Sequence, residues 1–418
     1  MANMSTFEQA RKYARIAGGV VFGAQVAAVA GLTITDMVRR RNRHPYRFPT
    51  AEALTVQADD DEVTIYTYGG DLYVDMLTAI RDATETIHFE TFIWKGDDVG
   101  RRFRTALNAA AARGVQVYVV WDQFANFVVP RSFFRFHPDV HVKRHPWVSG
   151  PFFLNPRNMG RDHRKILVVD GRVAFVGGYN IGRLYADHWR DTHARLVGPS
   201  VAEIENAFVD YWNSSTVGLR PSREPSIDLE SPDRTWNSAI RVHRNSPRFA
   251  VYPIRNMYLE AIDRASRNIW LTHAYLIPDA DLMAALFAAV RRGVDVRIII
   301  PEDSNHVVAD WMSRGFYDDL LKYGVHLLLY QGAMVHAKTA TIDGVWSTIG
   351  TANLDRLSLM GNYEVNVEFF SDTVAARMEE IFLVDSSNTV ELTREEWRAR
   401  SIVAKATEGL LAPWRPMM

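Results

Sequence analysis

The chain has 418 residues, 47% of them hydrophobic, with a net charge of −1 and no cysteine. That length and apolar content support two compact domains, or one large duplicated one, and exclude wholesale disorder. The lack of cysteine removes disulfides, thiolate catalysis and cysteine-ligated zinc, and the balanced charge excludes a general basic coat for nucleic acid while leaving room for local patches.

The first element along the chain is Ile16 to Thr35, "IAGGVVFGAQVAAVAGLTIT", which has no charge and one strongly polar residue, Gln25. A helix needs roughly 20 residues to span a bilayer, so the segment is long enough. Arg11, Lys12 and Arg15 precede it, and a denser basic run follows from Arg39. Basic residues favour the cytoplasmic side, which places the body at the cytoplasmic face of the inner membrane. Two other readings stay open: a signal peptide cleaved after Ala28-Val29-Ala30, and an Ala/Gly-rich helix packed on the body. Residues 1–46 are thus read as a membrane-associated helix with a basic flank.

Beyond it the chain falls into two similar halves, residues 47–214 and 235–392. The first runs helix "DLYVDMLTAIRDATE", strand "TIHFETFIW", helix "DVGRRFRTALNAAAARG", strand "VQVYVVWD". The second repeats the order with "NMYLEAIDRASR", "NIWLTHAYLI", "DADLMAALFAAVRRG" and "VDVRIIIPED". Helical periodicity alternating with short β-branched runs predicts an α/β fold. Residues 215–234, rich in Ser, Pro and charge, read as a linker, or else as a surface loop within one fused domain. Residues 393–418 read as a C-terminal helix and tail, with Thr393 and Glu396 spaced for a capping box.

The halves align residue by residue at two stretches. "HRKILVVDGRVAFVGGYN" places Lys165, Asp170, Gly177, Asn180 and Asp191 at +2, +7, +14, +17 and +28 from His163. "HAKTATIDGVWSTIGTAN" places Lys338, Asp343, Gly350, Asn353 and Glu364 at the same offsets from His336. Six positions in step point to duplication. Each stretch reads as a β-hairpin with an Asp-Gly turn between apolar runs. Residues two apart on a strand share a face, so each histidine lies beside its lysine. Asp170 and Asp343 fall an odd step away and are expected to support the turns. The return strands bring Gly177, Gly178 and Asn180, and Gly350 and Asn353, back beside the histidines, and the small residues would let a substrate approach closely. Imidazole, ammonium and amide together suit phosphoryl chemistry: Lys and Asn hold non-bridging oxygens while His attacks phosphorus or moves a proton. One half has one histidine, and a double displacement needs both a nucleophile and an acid. Two half-sites facing each other supply them.

These residues resemble the signature of the phospholipase D superfamily, H-x-K-x4-D followed by G-[GS]-x-N. The resemblance implies two fused, duplicated α/β/α sandwich domains with one active site at their interface. It also implies a phosphohistidine intermediate and neither metal nor cofactor. The acidic residues that orient the histidines in the family match Asp191 and Glu364. By analogy with the family, His163 is the nucleophile and His336 the general acid. Within the superfamily, "RDHRKILVVDGRVAFVGGYNIG", "WRDTHARLVGP" and "VHAKTATIDGVWSTIGTANLD" are similar to bacterial cardiolipin synthases. Such enzymes move a phosphatidyl group between two phosphatidylglycerol molecules and release glycerol. That resemblance implies phospholipid substrates and a membrane, with no nucleic acid, and leaves the oligomeric state open. The chain departs from it in three places. Leu357 stands where many relatives carry arginine, Gly350-Thr351 replaces Gly-Ser, and there is one apolar N-terminal stretch where many have two. A phospholipase D-type hydrolase, a superfamily nuclease and a scaffold with a relic site are the alternatives.

Two further stretches stand out. Between residues 124 and 161, Phe127, Phe133, Phe134, Trp147, Phe152 and Phe153 interleave with Arg131, Arg135, Lys143, Arg144, Arg157 and Arg161. That pattern suits an anionic lipid surface, single-stranded nucleic acid, or an insertion whose aromatics are core. His137, His141 and His145 have helical metal-ligand spacing, but Pro138 and Pro146 break such a helix and "DVHVKRH" reads better as a strand.

Overall fold

A computed structural model describes residues 47–147, 160–214, 224–228 and 239–413, with six isolated positions between Arg11 and Gly31. Most of the apolar segment Ile16 to Thr35, and residues 215–223 and 229–234 of the expected linker, lie outside the described residues. No helix of the described residues is long and apolar enough to cross a membrane. Residues 224–228 pack back on the first half, where the Pro225 carbonyl accepts the Trp212 indole N–H at 2.8 Å.

The duplication is explicit in the two eight-stranded sheets. The first runs, in spatial order, Thr55–Ala58, Asp61–Tyr66, His193–Val197, Val173–Gly177, Ile166–Val169, Thr86–Thr91, Gln116–Asp122, Val140–His145. The second runs Ile240–Asn245, Glu364–Phe370, Trp346–Gly350, Lys338–Ile342, Asn268–His273, Asp295–Pro301, His326–Tyr330, Thr389–Leu392. Seven strands match in order, and each sheet adds one edge strand, at opposite ends. Helices Gly69–Asp82 and Asp98–Ala112 cover one face of the first sheet, as Pro253–Arg264 and Ala280–Arg291 do in the second. The other faces share one apolar cluster: Val63, Ile166, Val176 and Leu196 with Ile349, Val365, Val367 and Phe369, closed by helices Val201–Asn213 and Asp372–Ser386. Burial of this shared cluster fixes the two halves relative to one another.

Both Asp-Gly turns form. Asp170 and Gly171 have φ of 53° and 60°, and Asp343 and Gly344 have 57° and 66°. Positive φ at both central residues is the type I′ turn, whose twist matches that of the strands it joins. Asp170 does more than turn the chain. Its carboxylate accepts the backbone N–H groups of Thr84, Glu85 and Thr86 at 2.8–2.9 Å, and the Thr84 hydroxyl. Asp343 does the same for Ser266, Arg267 and Asn268. Each hairpin is thereby pinned to the start of the central strand of its half. Burial alone would raise the Asp170 pKa, but those N–H bonds outweigh it and hold the carboxyl below its ordinary value. A depressed folded pKa gives stability that is present above the unfolded value and is lost as pH falls through the folded one. Asp170→Asn keeps the tolerance for left-handed backbone and loses the charge-assisted bonds, at a cost of about 1–3 kcal/mol. Its melting temperature is expected to lie below wild type at neutral pH, with the gap closing in acid.

Two expectations are revised. The C-terminal segment is not one helix. The capping box of Thr393 and Glu396 starts Arg394–Arg398, and a second helix, Ile402–Leu411, begins where the Ser401 side chain accepts the Ala404 N–H. Ser401 is a second N-cap, which competes with continuing the first helix. The aromatic-basic stretch divides. Phe133 is buried and Phe134 stacks on Trp121 at 4.5 Å, whereas Phe127 and Trp147 are exposed. Lys143 is buried, its ammonium donating to the Trp212 carbonyl. Phe152, Phe153 and Arg157 lie outside the described residues. Residues 140–145 form the expected strand, and His145 bonds Tyr211 at 2.5 Å and the Gly160 carbonyl at 2.9 Å.

Candidate active site

The two hairpins meet where the shared cluster ends. Short backbone pairings cross between the halves there. Met334–Val335 pairs in parallel with Trp189–Arg190, and Asp162 bridges to Tyr363. The His163 N–H donates to the Tyr363 carbonyl at 3.0 Å, and the His336 N–H to the Arg190 carbonyl at 2.6 Å. Each histidine is therefore stitched to the residue just before the acidic residue of the opposite half.

The side chains follow the backbone. His163 Nδ1 lies 2.9 Å from Glu364 Oε2, and His336 Nδ1 lies 2.6 Å from Asp191 Oδ2. Each carboxylate fixes the histidine of the other half. With Nδ1 held, Nε2 is the nitrogen left for chemistry at both rings. The rings are braced edge-on or tilted by Phe92 against His163 at 4.7 Å and Trp189 against His336 at 4.9 Å. Lys165 and Lys338 are buried, and each donates to the carbonyl of its own histidine. Lys338 Nζ also lies 2.9 Å from His336 Nδ1. Asn180 Oδ1 accepts the Ile93 N–H at 3.0 Å, which leaves its NH2 as the donor for a substrate. The buried side-chain Oδ1 of Asn353 has no partner among the described residues.

The glycines serve another end than substrate access. A side chain at Gly178 would collide with the Asp191 carboxylate, and one at Gly350 with the Asn366 amide. Gly177 likewise backs onto Thr192 and His193. In the second half Thr351 replaces Gly178. There the longer Glu364 leaves room for the Thr351 hydroxyl, which donates to Glu364 Oε2 at 2.5 Å, with Asn362 at 3.4 Å on the other oxygen. Sequence offsets align Gly178 with Thr351 and Asp191 with Glu364, but the coupling between the two differences needs the packing to be seen. Nothing in the sequence repeat singles out Asp355. It is buried, caps helix Arg356–Met360 through the Ser358 N–H at 2.6 Å, and stands where the first half has Gly182. Arg190 forms a buried two-pronged ion pair with Asp385, both contacts at 2.7 Å, which anchors the short strand Trp189–Arg190 just before Asp191.

Burial sets the charge state. It lowers His336 to about 3 and His163 well below its ordinary value, assisted by the nearby lysines. It brings Lys165 to about 7 and Lys338 to about 8. The site thus holds neutral imidazoles and two ammonium groups ready to lose their protons, a cradle that gains most from an anion. Tungstate, as a phosphate mimic, is expected to bind more tightly at pH 6.5 than at pH 9 by titration calorimetry. The sign follows from the lysines: raising pH through about 7 and about 8 removes the cations that the anion needs. Binding above pH 7 should therefore take up protons. Equal affinity at both pH values would exclude the lysines as the anion's partners.

The family model described as "Cardiolipin synthase, PLD-like domain" matches residues 76–212 and 258–385. The chain is 32% identical over 376 residues to the major cardiolipin synthase ClsA of Bacillus subtilis, covering 86% of this chain and 76% of that protein. It is 29% identical over 377 residues to a cardiolipin synthase of Clostridium perfringens, covering 86% and 77%. Among solved structures, the phosphatidylserine synthase of Haemophilus influenzae Rd KW20 superposes with a TM-score of 0.66 over 89% of this chain and 95% of that one. At 13% identity that likeness speaks to the fold alone.

Proposed function

From the premise that the chain belongs to the cardiolipin synthase, PLD-like family, we propose that it is a phosphatidyltransferase joining two phosphatidylglycerol molecules into cardiolipin with release of glycerol. Relatives named cardiolipin synthase, matched over most of both chains, support the reaction class. The single observation that carries the mechanism is the pair of buried imidazoles, each with Nδ1 fixed by the acidic side chain of the opposite half.

In this reading His163 Nε2 attacks the phosphorus of the first phosphatidylglycerol. The bond from phosphorus to the glycerol headgroup oxygen breaks, and His336, taken to the imidazolium beside Asp191 when the anionic phosphodiester binds, gives that oxygen its Nε2 proton. The phosphatidyl group is then held on His163. A hydroxyl of a second phosphatidylglycerol passes its proton to His336 and attacks phosphorus, which frees His163 and forms cardiolipin. Lys165, Lys338, Asn180 and Asn353 hold the non-bridging oxygens, where charge builds in each transition state. Asp191 and Glu364 act as positioning residues for the two rings. Gly177, Gly350, Asp170 and Asp343 are structural. The segment Ile16 to Thr35 would hold the enzyme at the inner membrane, its body on the cytoplasmic side.

The test uses purified full-length protein with phosphatidylglycerol in mixed micelles, products read by mass spectrometry. Cardiolipin and equimolar glycerol, absent with His163→Ala, support the transferase. Phosphatidic acid without cardiolipin would replace it with the hydrolase, in which water takes the place of the second alcohol.

A further inference from the structure

Three large side chains next to the site point into solvent. Phe124 is 48% exposed, Phe127 67% and Trp147 51%, and Val128 beside them is 64% exposed. They form one cluster, with ring centroids 5.2 Å apart for Phe124–Trp147, 6.1 Å for Phe127–Trp147 and 6.5 Å for Phe124–Phe127. Isolated exposed apolar residues are ordinary, but a contiguous aromatic cluster with a basic rim marks an interaction surface.

The cluster is built onto the active site by two routes. Arg161 lies over the Phe124 ring at 5.6 Å, donates to the Trp147 carbonyl at 2.7 Å, and is two residues before His163. On the other side, the Asn126 amide donates to the Phe92 carbonyl at 2.8 Å, and Phe92 packs edge-on against His163. A cleft of about 650 Å³ opens beside Phe127 and Trp147, with Phe134 and Phe136 among its lining residues and Arg131 and Arg144 on its walls. Those two arginines are exposed and form no ion pair among the described residues. Glu224, which also lines the cleft, is engaged by His141 at 3.0 Å.

We propose that Phe124, Phe127 and Trp147, with Arg131 and Arg144, form a docking face that seats the catalytic body on an anionic bilayer beside the entrance to the site. The proposal rests on the lipid-transferase reading and goes beyond it by naming the surface. The occupant follows from charge and chemistry. Unpaired arginines match anionic headgroups, and aromatic rings prefer the depth where headgroups meet acyl chains. A substrate taken from the bilayer would then pass Arg161 or Phe92 to reach His163.

The test reconstitutes the full chain into phosphatidylglycerol bilayers whose acyl chains carry bromine. The difference in tryptophan emission between wild type and Trp147→Phe isolates Trp147. Quenching of that difference by brominated lipid is expected. An unquenched difference, or one quenched by a single-stranded oligonucleotide instead, would overturn the proposal. A second variant, Phe127→Ala with Trp147→Ala, changes only exposed side chains. Its kcat/KM should fall about tenfold on bilayer phosphatidylglycerol and stay within about twofold on a short-chain analogue below its micellar concentration. Equal losses on both substrates, or no loss on either, would overturn it. The quenching experiment needs no turnover, so failure of the transferase reading would show separately.

Discussion

His163→Ala and His336→Ala are each expected to lower turnover by about four orders of magnitude or more, and to fail at different steps. The two half-sites are near copies, yet their carboxylates differ in charge. Burial raises both, but at Asp191 the Lys338 ammonium, then His336 and the Thr192 N–H, prevail and hold it below the ordinary carboxylate range. Burial lifts Glu364 to about 8 in spite of Lys165, Thr351 and Asn362. An ionised partner stabilises an imidazolium, so His336 is the ring suited to carry and deliver a proton. Glu364, which resists ionisation, gives less support to an imidazolium, and with its Oε2 accepting the His163 Nδ1–H the lone pair is left on Nε2, which is what attack on phosphorus requires. A phosphodiester with a nitrophenol leaving group, which departs without a proton, separates the roles. With it, His336→Ala should still label the protein, in the acid-labile, base-stable manner of phosphohistidine. His163→Ala should not. Labelling of His163→Ala alone would reverse the assignment.

Asp191→Asn is expected to lower kcat by about a hundredfold to ten-thousandfold, by disabling the histidine of the other half. Asparagine matches the shape of Asp191 and keeps a contact with His336 Nδ1, but it cannot stabilise the imidazolium. The loss should therefore be large with phosphatidylglycerol and small with the nitrophenyl diester. Glu364→Gln should slow labelling of His163 with both substrates, because it loosens the nucleophile. Nitrogen-15 NMR gives a readout that mere structural damage would not: the Nδ1–H resonance of His336, not that of His163, should move in Asp191→Asn. Pairing within each half would produce the opposite pattern.

That crossing was not legible in the sequence. The offset of +28 from each histidine puts an acid in each half, and the plain inference from a repeat is that each unit is wired to itself. The structure wires them across, because the backbone before each histidine pairs with the backbone before the other half's acid, through Tyr363 and Arg190. Those pairings join residues 201 and 145 positions apart for the two His–carboxylate contacts, and no local rule reports on them. The glycines show the same limit. Their placement in the return strands was readable from the Asp-Gly turn, but what fills the space beside them is the Asp191 carboxylate and the Asn366 amide.

What the sequence determined by itself is what depends on short-range periodicity and exact repetition. The alternation of helix and strand, the type I′ turns at Asp170 and Asp343, the shared face of each His-x-Lys pair and the duplication all follow from spacings of two, 3.6 or a fixed offset. What only the tertiary structure decided is which copies face each other and with what charge. The burial of one apolar cluster between two sheets brings half-sites together that neither half could complete. The same burial, by removing water, separates the behaviour of Asp191 and Glu364 and lowers both lysines. Desolvation is a property of the assembled interior, so no stretch of the chain carries it alone.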